Sequence, residues 1–241
     1  MNLVVDIGNN YFKLGIFENS DLIYSFSDQN SKIFYEIQRI LNERRNLSHA
    51  LISNVSLLSI NNLFEKYDIK ILHLDLSLLF PFNINYQTPD TLGNDRLALA
   101  AAASFLYPDS NNLIIDAGTC ITIDFLDSKN NFHGGSISPG VEMRYKSLNN
   151  YTANLPLLKK SSRSNFPGNS TNSSIHAGII GGVSNEISGF IKKMNNKFNQ
   201  VNVILTGGDA KFLSKTLKIT IFANQNFILE GLNCILNLNK Q

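Results

Sequence analysis

Several signatures that assign a protein to a functional class are missing from this 241-residue chain. The sequence has only two cysteines, Cys120 and Cys234, and no CxxC pair. Neither a disulfide scaffold nor a thiolate zinc site is therefore expected, and the reducing cytoplasm is the predicted compartment.

The most apolar run, Leu97 to Tyr107, is about half of the roughly 20 residues that a membrane-spanning helix needs. We expect it to form a buried helix, with no membrane association. The N-terminal MNLVVDIGNN lacks the basic residues and the cleavage site of a signal peptide, so export is not predicted.

Charge is sparse and balanced. Lys and Arg number 21 against 19 Asp and Glu, a net charge of +2, and no block of like charges occurs. Such a composition offers no electrostatic footprint for nucleic acid or for a membrane surface, so we expect neither as a partner. With 43% apolar residues the chain can bury a substantial core, which excludes disorder as its main state.

The common nucleotide, metal and hydrolase motifs are also absent. The sequence contains neither GxxxxGK[ST] nor GxGxxG, so the P-loop and Rossmann mechanisms lack their basic parts. It contains no HExxH and no GxSxG, which removes support for a zinc protease and for an α/β-hydrolase nucleophile elbow. Any chemistry must therefore depend on other residues.

What the sequence does contain is an internal repeat. Asn2–Gly8 aligns without a gap with Asn112–Gly118, and four of the seven residues are identical. Each segment reads as a buried strand that enters a tight turn and a second strand. A spacing of 110 residues is too long for a solenoid, so we predict two similar α/β domains, 1–108 and 109–241, facing each other across a cleft. Helices are also predicted at 57–67, 171–197 and 227–238, and a long loop at 80–92.

Each repeat ends its first strand with an aspartate and, two residues later, a glycine: Asp6 with Gly8, and Asp116 with Gly118. Glycine lets a backbone approach a phosphate closely, and an aspartate can hold a metal ion. An ordinary hairpin is the alternative for either one alone, because Asp and Gly favour turns. The duplication favours a functional interpretation of both.

The tetrapeptide from Gly93 to Arg96 lies between the long loop and the apolar helix. Asp95 is either a helix-start carboxylate favoured by the macrodipole or a general base near a substrate hydroxyl. Arg96 is either a surface cation or a group that binds an anionic end of the substrate. The turn Thr206–Asp209 likewise reads as an ordinary strand-to-helix turn or as a ligand-facing one.

Taken in order, these and other segments resemble one family over nearly the whole chain. They are DIGNN at 6–10, ISNV at 52–55, TPDTLGNDR at 88–96, IDAGTCITID at 115–124, FHGGSISPGVEM at 132–143, SLNNYTANLP at 147–156, NSTNSSIHAGIIGG at 169–182 and LTGGDA at 205–210. The chain resembles the type III pantothenate kinases of the acetate kinase, sugar kinase, Hsp70 and actin superfamily. The resemblance implies duplicated actin-like (ribonuclease H-like) domains, and an enzyme that converts pantothenate to 4′-phosphopantothenate at the start of coenzyme A biosynthesis.

The resemblance also implies how ATP and cations would bind. Asp6 would act on magnesium through water, and Asp116 would coordinate a monovalent cation, K⁺ or NH₄⁺. In this chain Asn10 replaces the usual threonine or serine of the first motif, so an amide stands where a hydroxyl would contact phosphate. The residues implied to bind ATP are Asp6, Ile7, Gly8, Asn9, Asn10, Tyr11, Phe12, Lys13 and Thr119.

Pantothenate would be bound by residues before and at the start of the apolar helix, with Asp95 as the general base. The implied substrate-binding residues are Tyr86, Gly93, Asn94, Asp95, Arg96 and, from a partner subunit, Thr171. A homodimer with shared active sites follows from that last assignment. From its sequence context alone, Thr171 also fits a helix N-cap.

Two other functions are considered. One is a non-catalytic transcription accessory factor, which the near-neutral charge and the retained carboxylates disfavour. The other is a phosphohydrolase that acts on polyphosphate or a nucleotide, which the fold alone would permit. The GNDR segment with Tyr86 favours an organic alcohol as phosphoryl acceptor instead.

Overall fold

Strands and helices alternate along the whole chain. The computed structural model describes residues 1–162, 164–217 and 222–240. The strands are β1 Asn2–Ile7, β2 Tyr11–Glu18, β3 Asp21–Gln29, β4 His49–Asn54, β5 Lys70–His73, β6 Asn83–Ile84, β7 Asn112–Ala117, β8 Cys120–Leu126, β9 Asn131–Pro139, β10 Asn202–Thr206 and β11 Phe222–Ala223. The helices are α1 Ile33–Glu43, α2 Asn94–Leu106, α3 Val141–Asn150, α4 Thr171–His176, α5 Gly182–Phe198, α6 Ala210–Leu213 and α7 Phe227–Asn239.

Contacts divide the chain into two units. The first comprises Met1–Pro108 together with Asn226–Gln241, and the second comprises Asp109–Gln225. In the first unit the strand order is β3-β2-β1-β4-β5, and in the second it is β9-β8-β7-β10-β11. Strands β1 and β7 are each antiparallel to the strand that follows in sequence and parallel to their other neighbour, β4 or β10. The two units therefore share one topology, which confirms the predicted duplication.

The repeated strands also have the same burial. In both β1 and β7 the first four residues are buried, the aspartate is partly exposed and the last residue is buried. A strand covered on both faces must be apolar throughout, which explains the unbroken runs LVV and LII before each aspartate. Each aspartate therefore lies near the end of a central strand, where the chain leaves the core.

The first core lies between β1 and α1. Residues Leu3 and Val5 pack against Ile33, Ile37 and Ile40, which follow one another at helical spacing on one face of α1. A second core covers β7 and β8 with side chains from α3, α5 and α6. The predicted apolar helix is α2, which is buried from Arg96 to Ser104.

The C-terminal helix differs from the sequence-based division, which placed it with residues 109–241. Helix α7 packs against α2 and β1 in the first unit. A Cβ added at Gly231 would lie 1.8 Å from the carbonyl oxygen of Ala98, so the two helices approach closely. Asn2 Nδ2 also donates to Asn233 Oδ1 at 2.7 Å. These contacts join sequence-distant segments, and local pattern does not reveal them.

Two predicted helices also differ in detail. In place of a helix over 57–67, the chain forms a 3-10 turn at Asn61–Leu63. Asn54 Oδ1 accepts bonds from both the backbone and the hydroxyl of Ser56, and such local bonds compete with helix formation. The helix predicted over 171–197 is interrupted by a π-helical turn, Ala177–Gly181, between α4 and α5. None of the helices in the described ranges has the length and apolarity needed to cross a bilayer.

Candidate active site

The turn between β1 and β2 is held in place by Asn30, directly after β3. Its Nδ2 donates to the carbonyl oxygens of Gly8 at 2.8 Å and Asn9 at 3.2 Å, and its backbone N–H donates to the carbonyl of Asn10 at 3.0 Å. Gly8 N–H in turn donates to the carbonyl of Tyr11 at 3.0 Å. Because these carbonyls are engaged within the protein, the turn is held in one conformation.

The predicted ATP-binding residues of this turn fall into two groups. Asn9, Asn10 and Tyr11 are exposed, and their side chains can reach a ligand. Ile7 and Phe12 are fully buried in the first core, so their side chains do not reach a ligand. This follows from the strand geometry, which turns alternate side chains into the core.

Asp6 has a partly exposed surface, but densely packed protein atoms remove most of the water around its carboxylate. This burial raises the pKa of Asp6 to about 6. A hydrogen bond from Ser53 Oγ to Asp6 Oδ1, at 2.9 Å, opposes the increase. The charge of Asp95 raises the pKa further, and that of Lys13 lowers it. Asp95 and Lys13 therefore both act electrostatically on the carboxylate of Asp6.

The start of α2 is built around the carboxylate of Asp95. Its Oδ1 accepts a bond from the backbone N–H of Arg96 at 2.9 Å, which satisfies an amide at the helix N-terminus. Gly93 is the N-cap residue, and a Cβ there would lie 2.4 Å from Asp95 Oδ1. Asn94 Nδ2 donates to the carbonyl of Leu74 at 3.0 Å, which anchors the helix to the segment after β5. The segment GND thus fixes where the carboxylate lies.

Arg96 is buried, with only 5% of its surface exposed, so the interpretation of this residue as a surface cation was wrong. Its guanidinium carbon lies 5.4 Å from the centre of the Tyr86 ring, and its Nη1 lies 3.5 Å from the Tyr86 hydroxyl. A cation over an aromatic face is favourable, and more so where water is excluded. The structure thus brings together Tyr86 and Arg96, two of the residues for which the resemblance implies a role in substrate binding.

In the second unit the corresponding aspartate, Asp116, is covered by the turn that follows β10. Gly207 has a φ of +92°, and a Cβ there would lie 2.3 Å from Asp116 Oδ1 and 2.5 Å from the carbonyl oxygen of Ala117. The backbone N–H of Asp209 donates to that same carbonyl at 2.9 Å. Only glycine fits at position 207, and its lack of a side chain lets the turn lie directly against the carboxylate of Asp116.

The two remaining predicted residues, Thr119 and Thr171, are both exposed and both lie in the second unit. Thr119 is in the β7–β8 turn, and its carbonyl accepts a bond from Gly140 N–H at 3.0 Å. Thr171 is the first residue of α4. Ser170 is the N-cap residue and forms a capping box with Ser173, so the interpretation of Thr171 as the cap was wrong.

Sequence reasoning missed two residues that position the first turn, Ser53 and Asn30. Ser53 lies in the ISNV segment, and its pairing in register with Asp6 would have identified it had the β1–β4 register been known. No motif includes Asn30, and its contacts depend on how β3 ends.

The donor set in the first unit suits magnesium bound through water. Asp6 offers one carboxylate, with Oδ1 already bonded to Ser53. Within the part of the chain that the structure describes, no three His, Cys, Asp or Glu side chains cluster in a way that could hold a metal ion. Magnesium typically keeps several waters and binds one or two carboxylates together with substrate phosphates, so a single carboxylate beside a phosphate-binding turn fits this ion.

Comparison with known proteins places the chain in a family. A family model of type III pantothenate kinases matches residues 2–193. A type III pantothenate kinase of Flavobacterium johnsoniae is 44% identical over 239 residues, covering 97% of this chain and 96% of the relative. One of Christiangramia forsetii is 44% identical over 242 residues and covers 100% and 99% of the two chains. The chain belongs to the type III pantothenate kinase family.

Solved structures show that the chain has the actin-like fold that its sequence predicted. A Campylobacter jejuni protein, described as a conserved Baf family transcriptional activator, superposes with a TM-score of 0.61 at 22% identity and covers 98% of each chain. A glucokinase from an Antarctic psychrotroph has a TM-score of 0.51 at 11% identity, also covering 98% of each chain. At these identities the likeness is one of fold alone.

Proposed function

We propose that this protein transfers the γ-phosphate of ATP to pantothenate and forms 4′-phosphopantothenate, the first step of coenzyme A biosynthesis. The observation that carries the proposal is a chain of hydrogen bonds between the segments of the two aspartates. Asn94, next to the candidate base Asp95, donates to the carbonyl of Leu74, the backbone N–H of Leu74 donates to the carbonyl of Ile52, and the next residue, Ser53, donates to Asp6. The phosphate donor and the attacking hydroxyl would therefore meet in one region of the first unit. Family membership over the full length supports the choice of substrate.

The β1–β2 turn would bind the phosphates of ATP. Its exposed residues Asn9, Asn10 and Tyr11 supply backbone N–H groups and side chains, and Lys13 supplies a cation. Backbone amides in a fixed turn stabilise phosphate charge without reorganising during the reaction. The backbone groups of Ile7, Gly8 and Phe12 complete the turn. In the second unit, the exposed Thr119 is the proposed additional contact with ATP.

Asp95 would accept the proton of the primary hydroxyl of pantothenate as that oxygen attacks the γ-phosphorus and ADP leaves. Its bond to Arg96 N–H holds the carboxylate in place. Arg96 and Tyr86 would bind the carboxylate end of pantothenate, because a desolvated guanidinium pairs strongly with a carboxylate. Gly93 leaves room for the Asp95 carboxylate, and Asn94 anchors the start of α2.

Magnesium would be held through water by Asp6 and would neutralise the charge that develops on the phosphates. We further propose that Asp116, at the equivalent position in the second unit, coordinates a monovalent cation, K⁺ or NH₄⁺. Supporting this, the turn at Gly207 brings backbone close to the Asp116 carboxylate, so oxygen ligands are near.

We also propose a homodimer in which Thr171 of one subunit reaches the substrate bound to the other. Thr171 is exposed on α4, and the capping role is already taken by Ser170. A cytoplasmic location is part of the same proposal. Both cysteines are free thiols, which suits a reducing compartment. The transcription-factor alternative is not favoured, because the curated relatives carry the name of a kinase.

The test is formation of 4′-phosphopantothenate from ATP, magnesium, K⁺ and pantothenate, followed by mass spectrometry. Asp95→Asn should reduce turnover by about 10² to 10⁴-fold, the usual contribution of a general base. Asp90→Asn is the matched control, since Asp90 is an exposed carboxylate in the 3-10 turn just before α2. Product from wild type and Asp90→Asn at equal rates, with little from Asp95→Asn, is expected. No product from the wild type would refute the proposed function, and equal product from Asp95→Asn would refute the base.

A further inference from the structure

Ser53 is a buried hydroxyl residue in the strand beside Asp6. Strand β4 runs parallel to β1, and Ser53 pairs in register with Asp6. Its surface is 0% exposed, and its Oγ donates to Asp6 Oδ1 at 2.9 Å. The preceding residues Ala50, Leu51 and Ile52 are apolar and buried. A hydroxyl at such a position is costly unless it is hydrogen-bonded, and here its partner is the aspartate.

The second unit repeats the strand register and the burial of this arrangement. Strand β10 is parallel to β7, and Thr206 pairs in register with Asp116. Thr206 is also buried, with 2% of its surface exposed. Each unit therefore places a buried hydroxyl residue beside the aspartate that ends its central strand. If the buried position only had to fill the strand, an apolar residue with high β-propensity would serve there. The recurrence of a hydroxyl residue therefore indicates a role toward the neighbouring carboxylate.

We infer that Ser53 is a positioning residue for phosphoryl transfer: its hydroxyl holds Oδ1 of Asp6 and leaves Oδ2 available to hydrated magnesium. The inference deepens the proposed function and rests on it. Groups that orient a metal-binding carboxylate commonly change metal affinity by about 10- to 100-fold when they are removed. Because Asp6 would act through water, we expect an effect near the lower end of this range.

The test measures ATP binding as a function of magnesium concentration, without pantothenate, by titration calorimetry. Ser53→Ala removes the hydroxyl, and Ser53→Cys keeps the side-chain volume but offers only a weak donor. Both should raise the magnesium concentration for half-maximal binding by about 10-fold. Ser53→Thr, which retains a hydroxyl, should stay close to wild type. Ser104→Ala is the matched control, because it removes another buried serine hydroxyl of the first unit, one that bonds to the carbonyl of Pro81.

Turnover assays with pantothenate complete the design. At saturating magnesium, Ser53→Ala should recover most of the wild-type kcat, whereas a general loss of structure would lower kcat at every magnesium concentration. Unchanged magnesium dependence in both Ser53→Ala and Ser53→Cys would overturn the inference, and if the alanine variant does not fold, the cysteine variant decides. A wild type that binds ATP with magnesium but forms no 4′-phosphopantothenate would refute the proposed function, and the binding comparison would still decide the role of Ser53.

Discussion

Replacing Asp6 with asparagine should stabilise the first unit at neutral pH while abolishing phosphoryl transfer. The pKa of Asp6 is about 6 in the folded protein against an ordinary value of 3.8, chiefly because burial disfavours the charged form. Above about pH 6 the carboxylate is charged in both folded and unfolded chains, and the charge is better solvated in the unfolded one. The ionised carboxylate therefore destabilises the fold at neutral pH.

The size of this effect follows from the shift. One pKa unit corresponds to about 1.4 kcal/mol, so the full difference corresponds to about 3 kcal/mol. Asp6 retains some contact with solvent, and an asparagine amide must find partners of its own, so we expect a gain of between about 1 and 3 kcal/mol at pH 8. The gain should decrease as the pH falls from 6 towards 4, where the wild-type carboxylate becomes protonated.

The assay is hydrogen exchange of β1 peptides across a urea series, without magnesium or nucleotide. Exchange in β1 reports on the first unit alone, which matters because two units need not unfold in one step. Asp90→Asn, at an exposed carboxylate, should show no such pH-dependent gain. If Asp6→Asn were less stable than wild type at pH 8, or equally stabilised at pH 4 and pH 8, the reasoning would be refuted.

Three further predictions concern Asp116, the shared active sites of the dimer and Gly207. Asp116→Ala should abolish activation by K⁺, measured as turnover with K⁺ against Na⁺, and K⁺ activation retained at wild-type strength would contradict the cation site. Thr171→Asp and Asp95→Asn should each be nearly inactive alone, yet regain activity when mixed, because a mixed dimer contains one intact site; no recovery in proven mixed dimers would exclude shared sites. Gly207→Ala should lower the free energy of unfolding by about 2 kcal/mol or more, because the new Cβ would overlap the backbone of Ala117 and because residue 207 has a positive φ. Gly208→Ala is the control and should not lower it, since a Cβ there has open space.

The repeat was readable from the sequence because each central strand is buried on both faces. That burial requires the apolar runs before Asp6 and Asp116, and the chain's return to the surface requires the turn residues after them. The wrong placement of α7 has the opposite cause. Nothing near residue 231 indicates that this glycine meets Ala98, because that contact joins distant parts of the chain.

The candidate site likewise contains features that the sequence predicted and features that it did not. The position of Asp95 in the first turn of a helix was predicted from the sequence and is confirmed, since a carboxylate at a helix start is a local feature. The burial of Arg96 against Tyr86 was not predicted in that form, because an arginine at a helix start is usually solvated. Ser53 and Asn30 escaped notice because their partners are set by strand register and by the course of β3.

By itself, the sequence determined the α/β class and the duplication, because both are encoded in local pattern and spacing. Its ordered segments also resemble one family, and that resemblance supplied the candidate catalytic and binding residues. The tertiary structure alone decided that the final helix completes the first unit, that the carboxylate of Asp6 loses most of its surrounding water and is bonded to Ser53, and that the turn at Gly207 lies against Asp116. These features depend on atoms that come together from distant positions in the chain. Only that proximity removes water from a carboxylate and so shifts its pKa, or leaves no room for a side chain beyond glycine.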